Sequence, residues 1–426
     1  VTPLSSWLVD QVMLHRMIAA VALTAGLIGT VPALADVAQS QVVSANPVDN
    51  TPHILDGTVR AIAVVGTAVV VGGDFSTVTD PAGRLEYRRD YLFAYDLDSG
   101  QLLDFAPNLN GPVYALAAGA GGTVYLGGAF TMVNGMPQRG IGQVRLADSL
   151  RVPGFTTTIN YGDVRTLVTS GPWLYAGGGF TRIGGVNRPG LARLAAATGV
   201  ADAGFDAQLA APTLRRVRVE DLAVSPDGRR IVAIGAIEYS GGLRRPQLAM
   251  LDGTTGRALD WSTDVYAGAC YTGYDTYLRG VDFAPDGSYF VVAATGHMSG
   301  PNMLCDTAAK FATAGTGVHS PLWVNHTGGD SLFAVAVTGA AVYVGGHQRW
   351  LDNPYGQKSA GPGAVSRPGI GAIDPGTGRA LSWNPTRTRG EGVRALVACS
   401  AGLLVGSDTD QLGHEYHGRI GMFPLA

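Results

Sequence analysis

Two short stretches and one recurring position hold most of the side chains able to do chemistry. The first stretch is His347-Gln348-Arg349-Trp350; the second carries Asp408, Asp410, His414, Glu415 and His417. Neutral imidazole and carboxylate oxygen are ordinary ligands of divalent ions, so His414-x-x-His417 with Asp408 is the trio to test for a metal. Two histidines in one loop more often make surface hydrogen bonds, and that reading is preferred, so no cofactor is expected. Trp350 and Tyr355 present faces that can stack on a sugar ring or pack over their own loop, and packing is the commoner fate.

The recurring position is the second residue of a repeated apolar segment, occupied in turn by Arg60, Tyr114, Arg165, Glu220, Arg279, Phe333 and Arg394. Four arginines converging on one place would attract an anionic ligand. Against this, Asp74 follows Arg60 and Asp408 follows Arg394 at the same spacing of 14 residues. That offset makes each pair diagonal neighbours across a hairpin, so pairing within the protein is the preferred reading. His347 stands at the same offset from Phe333, and no such partner is visible for Arg165 or Arg279. The candidate ligand-binding set is therefore Arg60, Asp74, His347, Arg349, Trp350, Arg394, Asp408 and Asp410.

The elements that must position these residues follow from self-similarity. A short apolar strand (A) recurs at Val59, Val113, Val164, Val219, Leu278, Leu332 and Val393, giving seven units about fifty residues apart. Each A strand leads by a short turn to a second strand (B), rich in Val, Tyr and Ile and closing on Gly-Gly or a similar pair. A loop then reaches a third strand (C), and an Asp/Thr/Gly turn precedes a fourth (D) ending near Phe105, Phe155, Phe205, Trp261, Trp323 or Trp383. Ser225-Pro226-Asp227-Gly228 and Ala284-Pro285-Asp286-Gly287 are hairpin turns, because proline presets one turn angle and glycine accepts positive φ. A unit of this size cannot bury both faces alone, whereas radial packing buries both; a linear β-solenoid is the weaker alternative. The expected fold is all-β, a seven-bladed β-propeller of four-stranded blades. The last unit lacks its fourth strand, and Gln39–Ile54, with strand-like Gln41-Val42-Val43-Ser44, is expected to complete it and close the ring.

Composition bounds the function. Net charge is −3 with a pI near 6.2, which gives no basic field for nucleic acid. Residues 1–35 read as a signal peptide with its start at Met13: His15 and Arg16, an apolar run from Met17 to Val31, then Ala33-Leu34-Ala35. That run is shorter than the ~20 residues of a spanning helix, so no membrane insertion is expected. Residues 36–426 are expected to form one secreted, monomeric domain. Cys270, in the connection entering unit five, and Cys305, in its B–C loop, reach the same rim and should form a disulfide, leaving Cys399 as a core thiol.

With A innermost, the B–C loops and the D–A connections share one rim. The B–C loops of units one, six and seven (74–90, 347–368 and 408–418) are expected to form an enlarged wall there, continuing to unit five, and binding belongs on such loops. The GGxFT element Gly177–Thr181, its variant Gly127–Thr131, and the Leu191-Ala192-Arg193-Leu194 that follows resemble the delta-60 repeat β-propellers of secreted bacterial proteins. Units four and five depart from the element at Ile234–Ile237 and Ala293–Thr295. The resemblance implies a propeller and an extracellular location, often beside adhesion or carbohydrate-binding modules, and no chemistry. Leu251–Trp261 and Ile373–Trp383 are similar to the docking motifs of quinone-dependent dehydrogenase propellers, but only these two units carry the tryptophan form and no adjacent cysteine pair accompanies it. Nucleophile elbow, Walker loop and HExxH motif are all missing from the sequence. The expected function is a non-catalytic binding module for an extracellular glycan or protein. The alternative is an exported enzyme, metal-assisted or acting on a polysaccharide, with its site on the same rim.

Overall fold

The computed structural model describes residues 37–268, 270, 273–297 and 301–425. The proposed signal segment lies outside the described residues; among the described residues, seven antiparallel sheets share the order A-B-C, that of unit five adding a fourth strand, and shorter pairings accompany them. Their A strands are Val59–Val65, Val113–Gly119, Val164–Ser170, Arg218–Val224, Leu278–Phe283, Leu332–Val337 and Ala395–Cys399. The B strands are Ala68–Gly73, Thr123–Gly128, Trp173–Gly178, Arg230–Ala236, Tyr289–Ala294, Val342–Gly346 and Gly402–Gly406. Each B strand is central, paired with A on one side and C on the other, and nearly every residue in it is buried, as a run covered on both faces must be.

The core lies between sheets. Seven apolar clusters each join one unit to the next, and the one containing Val59, Val71, Leu404 and Met422 joins unit seven to unit one. Each D-segment aromatic is driven into such a seam: Phe105, Phe155, Phe205 and Trp261 are at most 1% exposed. The A strands likewise pack in succession, with the seventh against the first. The arrangement is all-β and propeller-like.

The B-strand glycine pair explains the spacing between sheets. A Cβ on Gly72, Gly127, Gly177 or Gly345 would lie 2.6 to 2.8 Å from the valine at or near the start of the next A strand: Val113, Val164, Val219 or Val393. Gly406 of unit seven has the same relation to Val59 of unit one, at 2.4 Å. The second glycine lies over backbone, and a Cβ on Gly73, Gly128, Gly178 or Gly346 would meet a carbonyl oxygen at 2.0 to 2.1 Å. That is far inside van der Waals contact, so the pair is a packing requirement.

The fourth strand differs from expectation. Among the described residues only unit five has a regular one, Trp323–His326. Elsewhere D shrinks to a single bridge to C, as in Tyr95↔Leu102, Val144↔Arg151 and Leu194↔Ala201. The chain then leaves the ladder to seat its aromatic, at Pro153-Gly154 through a turn with Phe155 N–H donating to Val152 O at 3.1 Å. The segment after each aromatic is stapled to the B–C hairpin of the next unit, as in Leu109↔Val133 and Ile159↔Ile183. Residues 39–54 do both jobs for unit seven. Ser44 and Val48 donate to Pro424 and Met422 carbonyls at 2.8 and 2.9 Å, and His53–Ile54 pairs with Thr79 and Val78 of unit one.

Gly406→Ala should lower stability by about 1–3 kcal/mol through overpacking. Val59→Ala in the same chain should recover part of that loss, because the added methyl then has room. Chemical denaturation of both single variants and the double variant checks this; strictly additive losses would show that the two positions do not touch.

Candidate functional site

The seven second positions share a backbone device. In six A strands the register to B slips at that residue, between Val59 and Ala61, Val113 and Ala115, Val164 and Thr166, Val219 and Asp221, Leu278 and Gly280, and Leu332 and Ala334. In unit seven Arg394 N–H donates to Gly406 O at 3.0 Å while Ala395 is the register partner of Gly406, which gives the same two-against-one geometry. A bulge bends the strand and re-aims the extra side chain. All seven side chains are consequently half-buried rather than packed in the core. Neighbours interact: the Arg60 guanidinium lies 5.8 Å from the Tyr114 ring centre, Arg165 pairs with Glu220 at 2.8 Å, and Arg394 stacks on Phe333 at 3.9 Å.

The four arginines differ in how they are neutralised. Arg60 Nε and Nη2 donate to Asp74 Oδ2 at 2.9 and 2.7 Å, as the spacing suggests, while Asp74 Oδ1 accepts from Thr58 N–H. The matching Arg394–Asp408 pair is not made. Asp408 accepts the Glu391 and Gly392 amides at 2.5 and 3.0 Å and faces Arg387 at 3.8 Å. Loop amides and the buried Arg387 have taken its lone pairs, leaving Arg394 to the aromatic ring. Arg165, for which the sequence shows no partner, has two: Asp163 at 3.0 Å and Glu220 at 2.8 Å. Glu220 also binds Arg218 at 2.5 Å. Burial works to raise the Glu220 carboxyl, but Arg165, Arg218 and Arg279 outweigh it and hold it below the usual glutamate value. Among the described residues Arg279 donates to backbone alone, to Thr276 and Leu278 carbonyls at 3.0 and 2.9 Å.

Between units six and seven the organiser is Asp330, buried and absent from the sequence-derived set. It accepts Arg349 Nε at 2.8 Å, Arg349 N–H at 3.1 Å and Arg389 Nη2 at 3.1 Å. Arg349 lies over the Trp350 ring at 4.3 Å, and Arg389 Nε donates to the His347 carbonyl at 2.7 Å. His347 Nε2 accepts the Ser331 amide at 3.2 Å and its ring meets Phe333 edge-on. Burial lowers its pKa, with Arg389 and Arg394 acting in the same direction against the Glu391 backbone and Asp330. Asp330 thus gathers His347, Arg349 and Trp350. Asp410 is exposed.

The metal trio is not brought together, and no group of three or more His, Cys, Asp and Glu able to hold a metal occurs among the described residues. The repeat explains both histidines. Gln411–Leu412 and Glu415–Tyr416 form a hairpin like Met132–Val133 with Met136–Pro137, or Arg182–Ile183 with Val186–Asn187. His414 has φ +69° at the turn position that Gly135, Gly185 and Gly242 fill in units two to four, and histidine is among the side chains that tolerate it. His417 occupies the place of Arg188, Arg245 and Arg367, whose guanidinium groups bond D-segment carbonyls at Phe205, Leu259 and Leu381. His417 Nδ1 meets the Thr51 hydroxyl at 3.2 Å, in the segment that completes unit seven.

This also corrects the wall of three enlarged loops. The connection of unit seven, from Ser407 to Ile420, matches in length those from Gly128 to Ile141 and from Gly178 to Leu191. Enlarged B–C connections belong to units one and six, flanking a standard hairpin. In unit five Cys270 and Cys305 are joined, as the frame suggested, with Cα atoms 5.6 Å apart, while Cys399 is buried and free. Beside the disulfide, Asp306 is fully buried; its carboxyl is pushed up to about 7, by burial first and then by the nearby Asp330 charge.

Two outcomes check these assignments. His414→Gly should leave stability unchanged or slightly raised, whereas His417→Ala should cost about 1–3 kcal/mol by removing a buried ring and its hydrogen bond with the Thr51 hydroxyl; thermal melts of the two variants decide. The raised Asp306 pKa means its neutral form favours folding: that contribution is complete below pH 3.8 and is lost as pH rises through about 7. Asp306→Asn should therefore be more stable than the parent at pH 8 and flatten the loss between pH 5 and 8, measured by melts across that range.

Comparison with known proteins gives one partial family match. Residues 173–205 match a family described as a domain of unknown function (DUF5122) beta-propeller. No curated protein matches the chain in sequence. Among solved structures, the WD40 beta propeller domain of Doa1 aligns at 12% identity and TM-score 0.48, over 84% of this chain and 94% of that one. The computationally designed Ika8 protein aligns at 13% identity and TM-score 0.44, over 90% of this chain and all of that one.

Proposed function

We propose that this chain is an exported seven-bladed β-propeller, closed by residues 39–54, of the secreted bacterial delta-60 repeat kind. Its role is that of a non-catalytic binding module, engaging an extracellular glycan or surface protein through the rim that carries the connections of units five, six, seven and one. Closure is supported by the Gly406–Val59 packing and by the hydrogen bonds from Ser44 and Val48 to the last strand. Export is supported by the apolar segment before Ala35 and by the Cys270–Cys305 disulfide, which suits an oxidising compartment.

The observation that carries the binding reading is the Asp330 centre. One buried carboxylate locks Arg349 and Arg389, and through them holds Trp350 and His347 in place. Side chains fixed by internal partners make a preorganised recognition surface, because little ordering entropy remains to be lost on binding. Tyr355, 66% exposed in the same enlarged connection, adds an aromatic face to it.

A glycan array and a pull-down from cell-envelope extract, run with the purified chain and with Trp350→Ala and Tyr355→Ala variants, test the proposal. A ligand retained by the parent and weakened about tenfold or more in either variant is expected. Equal binding by parent and both variants would remove this rim from consideration.

A further inference from the structure

The four bulge arginines are unequal in a way that points to a ligand. Arg60 has Asp74, and Arg165 has Asp163 and Glu220. Arg279 and Arg394 have no carboxylate within ion-pair distance among the described residues. Arg279 spends one Nη on two backbone carbonyls. Among the described residues Arg394 makes no side-chain hydrogen bond, its Nε is buried without an acceptor, and its guanidinium lies over the Phe333 ring at 3.9 Å. In unit order these two guanidinium groups flank Phe333, at the same bulge position and on the same side of their sheets.

We infer that Arg279 and Arg394, on either side of Phe333, form a site for a single oxyanion group: a carboxylate, sulfate or phosphate carried by an acidic ligand. A guanidinium is a fork of donors matched to such groups, and stacking on an aromatic ring fixes its plane while leaving its edges free. The electrostatics agree. Burial lowers the pKa of both arginines; the positive charges of Arg60 and Arg279 push Arg394 further down against Glu391 and Asp408, and Arg218 and Arg165 do so for Arg279 against Glu220 and Tyr274. Half-buried cations that repel one another are costly for the fold, and an incoming anion relieves that cost. Arg389 and Arg387 are not available for the task, since Asp330 and Asp408 already face them.

The inference deepens the binding reading and rests on it only for the choice of face. Isothermal titration and thermal melts of the purified chain use sodium sulfate, inorganic phosphate and an oligogalacturonate, against sodium chloride at equal ionic strength and a neutral oligosaccharide. Saturable binding of at least one oxyanion is expected, weakened about tenfold or more in Arg279→Gln and in Arg394→Gln, and unchanged in Arg145→Gln, a surface control paired with Asp148. In chloride alone, Arg394→Gln should be at least as stable as the parent, which a structural arginine would not be. Sulfate and phosphate alone report a free-anion site, and oligogalacturonate alone reports a polymer-borne carboxylate; either supports the site. No oxyanion response, or one that persists in both glutamine variants, overturns it. Binding of the neutral sugar or of an envelope protein under those conditions would leave the rim reading standing without the oxyanion site.

Discussion

Where the B strand of one unit faces the A strand of the next, the gap in five of the seven units is set by a residue without a side chain, while Ile234 and Ala293 hold that position in units four and five. Gly72, Gly127, Gly177, Gly345 and Gly406 each leave room for a β-branched valine from the neighbouring unit. Sheets that approach so closely exclude water from the innermost seam, and the aromatic from each D segment fills the wider outer part. The angle between successive units follows from this taper: small residues inside, large ones outside. Gly406 against Val59 gives unit seven and unit one the contact made elsewhere between consecutive units.

The same close approach creates the chemistry of the inner face. A strands packed tightly at their start cannot also hold a long polar side chain in the ladder, so each carries a bulge there and turns its second residue out. Arginines, a glutamate and two aromatics thus end at one level of successive units, near enough for charges to be felt between units. Local carboxylates decide which of them remain open to a partner from solution.

Much of this was legible in the residues. The period, the A, B and C strands, the Arg60–Asp74 pair and the disulfide all follow from spacing, because a repeat compares the chain with itself and tertiary context is shared between copies. What was missed depends on backbone states that spacing does not encode. The fourth strand shrinks because seating an aromatic and pairing a strand compete for the same residues. His414 looked like a ligand because its neighbours are polar; aligned with Gly135, Gly185 and Gly242 it is a turn residue in the left-handed region. Comparing that loop with its repeat equivalents, instead of with metal motifs, would have shown this.

Asp330 and Arg394 mark the two ends of one design problem. A buried carboxylate is tolerable when cations meet it, and Asp330 has two, so its surroundings are fixed and its charge is spent. Arg394, one unit on, has surrendered its expected aspartate to loop amides and keeps only an aromatic face. Had stability alone shaped this face, an uncharged side chain at 394 would avoid both the desolvation and the repulsion from Arg60 and Arg279. A guanidinium there is cheaper to explain as half of an interaction whose other half comes from outside the chain.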